Sequence, residues 1–277
     1  MGVATMLGPL LWILLSFAAG SGSAYAAPDD AEANAVWQRL RPALFGARPI
    51  AAADEGTLVL EAPARAEDAA IVPLSVRSRL DQTSARRVKT VWLVIDGNPS
   101  PLAATLHFAP ASGRADVETR VRVEQYGYVR AIAELEDGSL HMATRFVKAS
   151  GGCSAPAGKD PVAAAANLGR IRLKVDDAGE PRRAQLMISH PNTSGLAMDQ
   201  ITRLYPKAHF VRQVTVRYRG QPVLEADVDF SISENPSFRF LFSSEGGGNG
   251  ELAAEVVDTE GRTFESRVPV APRRDGV

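Results

Sequence analysis

The amino-acid sequence predicts an all-β protein of two immunoglobulin-like β-sandwich domains, and three observations predict it. Two sets of seven short runs alternate apolar and polar residues, which is the period-two pattern of half-buried strands. Dipeptides typical of hairpin turns separate several runs, among them Asp96-Gly97 and Asp137-Gly138. A glycine-rich segment lies between the two sets. Seven strands in about 100 residues is the size of one such sandwich, so a chain of 277 residues accommodates two.

Residues 1–26 are predicted to be a secretory signal peptide. The apolar stretch from Met6 to Ala19 is shorter than the roughly 20 residues that span a bilayer. Small residues follow it and end in Ala24-Tyr25-Ala26, an A-x-A cleavage pattern. No Lys or Arg precedes the apolar stretch, so an uncleaved anchor is the alternative. With cleavage after Ala26, we expect the mature chain in the periplasm, with no membrane attachment.

The first domain, residues 27–148, is expected to begin with a short helix. Asp29 or Asp30 is the candidate N-cap of this helix. The helix is predicted to run through about Arg41, with Pro42 beyond its end. Seven strands are predicted after it: Thr57–Glu61, Ile71–Arg77, Val88–Ile95, Leu102–Phe108, Val117–Val123, Val129–Leu135 and Leu140–Val147.

A linker at residues 149–169 separates the first domain from the second, which spans residues 170–277. The first half of the linker is small and polar, so it is predicted to be flexible and exposed. Asp160 as N-cap, Pro161 in the first turn and Gly169 at the end predict one short helix in the second half. Seven further strands are predicted: Ile171–Val175, Arg183–Ser189, Val211–Tyr218, Pro222–Val228, Phe238–Phe242, Leu252–Val257 and Thr263–Val268.

Charge and motifs exclude several function classes. With 31 Lys and Arg against 32 Asp and Glu, the chain lacks the basic excess of nucleic-acid-binding proteins. One cysteine rules out an internal disulfide framework and every multi-cysteine metal motif. The four histidines lack the H-E-x-x-H spacing, and the sequence has no G-x-S-x-G or dinucleotide fingerprint. We therefore predict no enzymatic activity, no cofactor and no metal, with His107 and His141 as ordinary strand residues.

The single cysteine, Cys153, is the candidate functional residue. Gly151 and Gly152 precede it, and Ser154-Ala155-Pro156 follows it. Two glycines have no side chains with which to bury a thiol, so we expect Cys153 to be exposed. A lone exposed thiol pairs readily in an oxidising compartment, and a thiolate can take and give sulfur. The pattern therefore favours a functional thiol, and the alternative is a fortuitous linker cysteine.

Short motifs in both halves carry a family resemblance. In the first half these are Ile71-Val72-Pro73-Leu74, Asp96-Gly97-Asn98-Pro99-Ser100-Pro101-Leu102 and Gly151-Gly152-Cys153. In the second half they are His190-Pro191-Asn192-Thr193-Ser194-Gly195, Ala208-His209-Phe210-Val211 and Ser233-Glu234-Asn235-Pro236. From about Thr57 to Cys153 the chain resembles SoxY, and from Ile171 to about Val268 it resembles SoxZ. Together the halves are similar to the fused SoxYZ-like carriers associated with quinoprotein dehydrogenases.

The resemblance implies a sulfur carrier of the periplasmic thiosulfate-oxidation (Sox) system, not an enzyme. In SoxY, a cysteine near the end of a glycine-rich tail covalently carries the sulfur substrate between partner enzymes. Cys153 corresponds to that attachment point, with Gly151 and Gly152 as the mobile arm. The SoxZ-like half is implied to be a binding scaffold, with His190 and Asn192 as turn residues. The implied partners are periplasmic redox or sulfur-processing enzymes, including a quinoprotein dehydrogenase.

The chain departs from a separate SoxY because it continues beyond its cysteine, so the arm is tied at both ends. Five residues from Lys148 to Cys153 reach about 16 Å when extended, which suffices to enter a partner pocket. A doubled-back loop, however, needs an open or wide site. The main alternative is a non-covalent adaptor of a periplasmic quinoprotein dehydrogenase, with Cys153 incidental. A metal-delivery module that uses Cys153 with histidines is a third possibility, poorly supported by their spacing.

Overall fold

A computed structural model describes residues 1–2, 31–155, 166–176, 179–199, 202–244 and 249–272. The predicted all-β class, with sandwich-forming sheets and a short N-terminal helix, is confirmed. Nearly all of the predicted signal peptide lies outside the described residues, as does most of the predicted linker helix. No helix within the described ranges is long and apolar enough to cross a membrane.

The N-terminal helix begins and ends later than the sequence suggests. A 3-10 turn at Ala31–Ala33 precedes helix α1, which spans Ala35–Phe45. The N-cap is Asn34, not Asp29 or Asp30, and its side-chain oxygen accepts hydrogen bonds from two backbone N–H groups of the first turn. Pro42 lies inside the last turn, where Gly46 ends the helix by donating its N–H to the Pro42 carbonyl.

The described part of the chain contains fifteen strands, all but one of which overlap the predicted runs. Their bounds are β1 Ile50–Ala52, β2 Val59–Glu61, β3 Val72–Arg77, β4 Val88–Ile95, β5 Leu102–Phe108, β6 Val117–Val121, β7 Gly127–Leu135, β8 Leu140–Val147, β9 Ile171–Val175, β10 Arg182–Ile188, β11 Val211–Tyr218, β12 Gln221–Val228, β13 Ser237–Phe242, β14 Gly250–Asp258 and β15 Thr263–Val270. The unpredicted strand is β1, which is three residues long and pairs in parallel with β8.

The strands form two sheets, and each sheet runs through both halves of the chain. The nine-stranded sheet has the order β1-β8-β7-β4-β5-β12-β11-β14-β15, and the six-stranded sheet has the order β2-β3-β6-β13-β10-β9. The halves meet where β5 pairs with β12 and β6 pairs with β13, both antiparallel. The two predicted sandwiches are therefore fused side by side into one continuous double layer.

One hydrophobic core fills the space between the sheets and crosses the boundary between the halves. It joins residues such as Leu93 and Leu106 of the first half to Val214 and Phe240 of the second. A second, smaller cluster lies on the outer face of the nine-stranded sheet, where Trp37 and other α1 residues cover β4, β7 and β8. This cover explains why β7 is buried on both faces instead of alternating.

Candidate functional site

The segment that carries Cys153 is folded back onto the end of β6 and the residues after it. Gly151 donates its backbone N–H to the Glu124 carbonyl at 2.9 Å, and Gly152 donates to the Val123 carbonyl at 3.0 Å. Two consecutive backbone hydrogen bonds hold the Gly-Gly pair against this segment, in a turn and not in a strand ladder. The expected mobile arm is therefore docked in this structure.

The absence of a side chain at Gly152 is what permits this docking. A Cβ atom at Gly152 would lie 2.1 Å from the Ala69 carbonyl oxygen and 2.7 Å from the Val123 nitrogen. Only glycine allows the backbone to approach so closely. The glycines therefore serve close packing here, whereas the sequence suggested that they keep the thiol accessible.

Glu124 holds the cysteine from the first half of the chain. Its Oε2 accepts the backbone N–H of Cys153 at 2.8 Å and that of Ser154 at 3.1 Å. Its Oε1 accepts the Ser154 hydroxyl at 2.9 Å. One carboxylate thus satisfies three donors, and hydrogen bonds to an ionised acceptor are stronger than neutral ones.

Ser194 holds the same cysteine from the second half. Its Oγ donates to the Cys153 carbonyl at 2.6 Å, and it also accepts the backbone N–H of Leu196 at 3.1 Å. The cysteine loop is therefore attached to both halves of the protein.

The expectation that Cys153 is exposed is wrong for this structure, because its residue surface is only 1% accessible. Burial, together with the charge of Glu124, raises the pKa of the thiol to about 12, against the partial opposing effect of Arg122. A thiol in this state is protonated at physiological pH, and only the thiolate is a good nucleophile. The structure therefore shows a protected form of the cysteine.

Arg122 is a cation whose charge acts on the Cys153 thiol. Its Nη1 donates to the carbonyls of Phe230 and Ile232 at 2.7 and 2.9 Å, and its Nη2 lies 3.5 Å from the Pro191 carbonyl. Burial lowers the pKa of the Arg122 guanidinium, which the negative charge of a Cys153 thiolate would raise again. Arg122 thus belongs to the first half but is anchored on the second.

The segment that contains Ser194 is hydrogen-bonded to other parts of the second half through Asn192. Asn192 is fully buried and adopts a left-handed backbone conformation, with φ of 45°. Its side chain donates to the Ile232 carbonyl at 3.0 Å and accepts the Val211 N–H at 2.9 Å. Asn192 lies in the connection between β10 and β11, and its amide ties that connection to two other segments.

Three titratable residues meet beside this connection, and the sequence did not indicate that they would. Nε2 of His209 lies 2.8 Å from Asp258 Oδ2 and 3.3 Å from Nε2 of His190. Burial and the nearby charge of His209 lower the pKa of His190 to about 4, against the effect of Asp258, so its imidazole is neutral at pH 7. Burial alone would raise the pKa of Asp258, but hydrogen bonds from His209 and two backbone N–H groups outweigh it and hold the pKa below its ordinary value.

The other two histidines are paired within the nine-stranded sheet. Nδ1 of His107 lies 3.2 Å from the Thr90 hydroxyl, and Nε2 of His141 lies 3.1 Å from the Ser139 hydroxyl. Both histidines lie in strands, as the sequence suggested.

Comparison with known proteins gives two family matches, each covering one half of the chain. The model described as "Sulfur oxidation protein SoxY" matches residues 41–153, and the model described as "Sulphur oxidation protein SoxZ" matches residues 171–269. The SoxY match ends at Cys153 itself. The two matches support a sulfur-oxidation carrier protein.

Three solved structures illustrate the similarity. The sulfur carrier protein SoxY from Chlorobium limicola f thiosulfatophilum is 25% identical, with 40% of this chain and 89% of that chain covered and a TM-score of 0.34. A superoxide reductase (neelaredoxin) from Ignicoccus hospitalis is 18% identical over 33% and 79% of the two chains, with a TM-score of 0.29. Fibronectin(III)-like modules of Clostridium thermocellum CbhA are 12% identical over 80% and 97%, with a TM-score of 0.23. No curated protein matches the chain.

The chain belongs to the SoxY and SoxZ families, joined in that order as a fused SoxYZ-like protein. SoxY and SoxZ proteins are carriers or adaptors that work with sulfur-processing partner enzymes, and they are not themselves catalysts.

Proposed function

We propose that this protein is a periplasmic carrier that holds a sulfur species covalently on Cys153 for processing by partner enzymes. The single observation that carries the proposal is the position of Cys153. It is the only cysteine of the chain, and it stands at the last residue of the SoxY match, behind Gly151 and Gly152. These two glycines would form the arm that presents the loaded thiol.

The attachment chemistry is thiol exchange. A Cys153 thiolate attacks a sulfur atom of a donor that already contains a sulfur–sulfur bond. A new bond forms from the Cys153 sulfur, the old sulfur–sulfur bond breaks, and the leaving thiolate takes its electron pair away. This step needs no external oxidant, because the donor already has the oxidation level of a disulfide.

The buried thiol implies that the carrier has a closed and an open form. In the closed form the pKa of about 12 suppresses the thiolate. Loading therefore requires Cys153 to leave its contacts with Glu124 and Ser194, whereupon the pKa falls toward the ordinary range for a solvated cysteine. Few hydrogen bonds hold the loop closed, so a partner enzyme can open the loop without unfolding the sheets.

The periplasmic location rests on the predicted signal peptide at residues 1–26. In the periplasm of a bacterium, persistent thiol–disulfide chemistry is possible, whereas cytosolic reductants would remove a sulfur adduct. Partner enzymes in the same compartment are redox or sulfur-processing enzymes.

Intact-mass spectrometry of protein purified from its native periplasm tests the carrier proposal. We expect mass additions that correspond to sulfur species, that are absent after treatment with a reductant and that are absent from Cys153→Ser. A thiol that stays unmodified under every growth condition would refute covalent carriage, and a full-length chain that retains residues 1–26 would refute cleavage.

A second candidate function is that of a non-covalent adaptor for a periplasmic quinoprotein dehydrogenase. The burial of Cys153 and the tethering of its loop at both ends favour it, because both obstruct the delivery of a sulfur species to a partner enzyme. The two functions separate in a Cys153→Ser strain: a carrier loses its function completely, whereas an adaptor retains it. The measurements are the growth of the Cys153→Ser strain under conditions that require this protein and the activity of the dehydrogenase in that strain.

A further inference from the structure

We propose that strand β15, at the free edge of the nine-stranded sheet, is a docking site for β15 of a second copy of this chain. The two strands would pair antiparallel about a two-fold axis at Ser266 and join two nine-stranded sheets edge to edge. This inference goes beyond the carrier function and does not rest on it, because it uses no residue of the cysteine loop.

Strand β15 is the longest edge strand of the two sheets. The other three edge strands, β1, β2 and β9, have three, three and five residues, whereas β15 has eight. A very short edge strand offers few unpaired backbone groups, which protects a sheet from pairing with another chain. In the described part of the chain, β15 pairs with β14 along its whole length and with no strand on its other side. Strand β15 is therefore open to pairing along a length that the other edges do not offer.

The hydrogen bonds between β14 and β15 show which backbone groups face the free edge. The Asp258 N–H donates to the Arg262 carbonyl at 3.0 Å, one pair beyond the end of the ladder. In an antiparallel ladder, hydrogen-bonded pairs alternate with non-bonded pairs, so the even-numbered residues of β15 bond to β14. The odd-numbered residues Glu265 and Arg267 therefore direct their backbone groups to the free edge. Pro269 also has an odd number, which agrees with the confinement of proline to positions whose N–H is not needed within the sheet.

The charges on β15 select one register for two copies. Two identical antiparallel strands can be centred on different residues, and each choice places a different set of side chains opposite one another. A pair centred on Glu265 places two glutamates opposite each other, and a pair centred on Arg267 places two arginines opposite each other. Among these three centres, Ser266 alone places Glu265 of each copy opposite Arg267 of the other. Opposite charges at such positions stabilise paired strands, and like charges destabilise them.

Glu265 has an unfavourable neighbour within its own chain. It lies directly opposite Glu255 in the register of β14 and β15, where like charges are destabilising. Arg267 of the same strand lies 3.6 Å from Glu265 but also 3.1 Å from Glu251. The side chains of Glu265 and Arg267 are 55% and 62% exposed, so both are accessible to another molecule. Arg267 of the second copy would add a cation beside the three glutamates.

The other face of β15 offers matching apolar side chains. Phe264 and Val268 are partly buried and pack against the main core. In the register centred on Ser266, Phe264 lies opposite Val268 of the second copy, and aromatic residues pair favourably with β-branched residues across strands. Charge on one face and apolar contact on the other therefore favour the same register.

Sedimentation equilibrium tests for the dimer, using the full-length mature chain with Cys153→Ser so that no disulfide can join two copies. Two strands of this length form a small interface compared with the roughly 1,200–2,000 Å² of stable complexes. We therefore expect a reversible dimer with a dissociation constant on the order of 10–100 µM, weakened by salt. A mass that stays monomeric from about 5 to 500 µM, a range that brackets this constant, would overturn the proposal without affecting the carrier function.

Charge reversals test the register. Glu265→Arg and Arg267→Glu each place like charges opposite one another in the dimer, so each should raise the dissociation constant by at least about tenfold. An equimolar mixture of the two variants restores opposite charges at both positions and should form a heterodimer. The matched control is Arg217→Glu, on the same outer face but in the interior strand β11, which should leave dimerisation unchanged. Undiminished dimers of both single variants, or a mixture that stays monomeric, would contradict this register.

Hydrogen exchange of β15 gives a measurement that needs no charge-reversal variant, should one fail to fold. The backbone N–H groups of Glu265 and Arg267 face the free edge in the monomer and would be hydrogen-bonded in the dimer. Their exchange should therefore slow as the protein concentration rises. The N–H of Ser266 faces β14, and its exchange should not depend on concentration. Exchange at Glu265 and Arg267 that is equally independent of concentration would exclude β15 as the interface.

Discussion

The two halves of the protein contribute different parts of one site. The SoxY half provides the thiol, the glycines that allow it to dock and the carboxylate of Glu124. The SoxZ half provides no sulfur, but it holds the Cys153 carbonyl through Ser194 and anchors the Arg122 side chain on the carbonyls of Phe230 and Ile232. Comparison of the halves shows that the reactive group and the residues that restrain it come from different parts of the chain.

The two restraints also differ in physical kind. The SoxY half uses a charged acceptor that satisfies three donors, together with a backbone contact that excludes any side chain at Gly152. The SoxZ half uses a single neutral hydrogen bond from Ser194. We therefore expect the first half to contribute most of the free energy that keeps the thiol closed, and three substitutions test this order.

Gly152→Ala should have the largest effect on thiol reactivity. Its Cβ would overlap the Ala69 carbonyl oxygen at 2.1 Å, so the loop cannot dock. Since docking raises the thiol pKa from 9.0 to about 12, full release raises the thiolate fraction at pH 8 by up to about a thousandfold. The rate of iodoacetamide alkylation measures this. Gly138→Ala, in an exposed hairpin, is the control, and equal acceleration in both variants would show general destabilisation instead.

Glu124→Gln should accelerate alkylation less, by about 10- to 100-fold. Hydrogen bonds to a charged acceptor contribute about 1.5–3 kcal/mol, and the amide oxygen of a glutamine would accept the N–H groups of Cys153 and Ser154 without that charge. Glu118→Gln, which changes a carboxylate on the six-stranded sheet, is the matched control. An unchanged alkylation rate in Glu124→Gln would mean that the backbone contacts alone keep the loop closed.

Ser194→Ala should accelerate alkylation by only about 3- to 10-fold, because one neutral hydrogen bond contributes about 1 kcal/mol. Ser139→Ala, which removes a hydroxyl from a hairpin in the other half, is the control. A larger effect from Ser194→Ala than from Glu124→Gln would reverse the comparison and make the SoxZ half the main restraint.

The pH dependence of stability tests the burial of the thiol itself and neither restraint separately. The folded protein binds the thiol proton more tightly than the unfolded chain does, so this stabilisation is complete below about pH 9 and is lost as the pH rises toward 12. In that range the wild type should lose free energy of unfolding relative to Cys153→Ser, by no more than about 1.4 kcal/mol per pH unit. Urea unfolding of both proteins measures the difference. Parallel stability curves would mean that the thiol is solvated in solution.

The sequence predicts strands well where the residues of one segment are enough to determine the bounds of the strand. The runs that form β4, β5 and β8 have the predicted bounds, because turn residues such as Asp96-Gly97 and Asp137-Gly138 delimit these runs in the sequence. Strand β1 has three residues without alternation, so its pairing with β8 depends on the partner. Alternation likewise tells which face of β5 and β6 is buried but not which strand lies beside it, so the continuous sheets could not be foreseen.

The parts of the site that the sequence did not predict depend on distant contacts. The accessibility expected for Cys153 failed because the Ala69 carbonyl packs where the Gly152 side chain is missing. His190, His209 and Asp258 meet from three segments whose separation along the chain matches no ligand motif. Asp258, at the end of a strand and before a turn, gave no signal of its own beyond its position.

The pairing of β5 with β12 and of β6 with β13 has a consequence for stoichiometry. In one polypeptide these contacts form at an effective concentration that dilution cannot reduce. Every copy that carries the thiol therefore also carries the residue that shields it, and a cell cannot produce one in excess of the other. The supply of protected cysteine is therefore set by the synthesis of a single chain and does not depend on matching the amounts of two subunits.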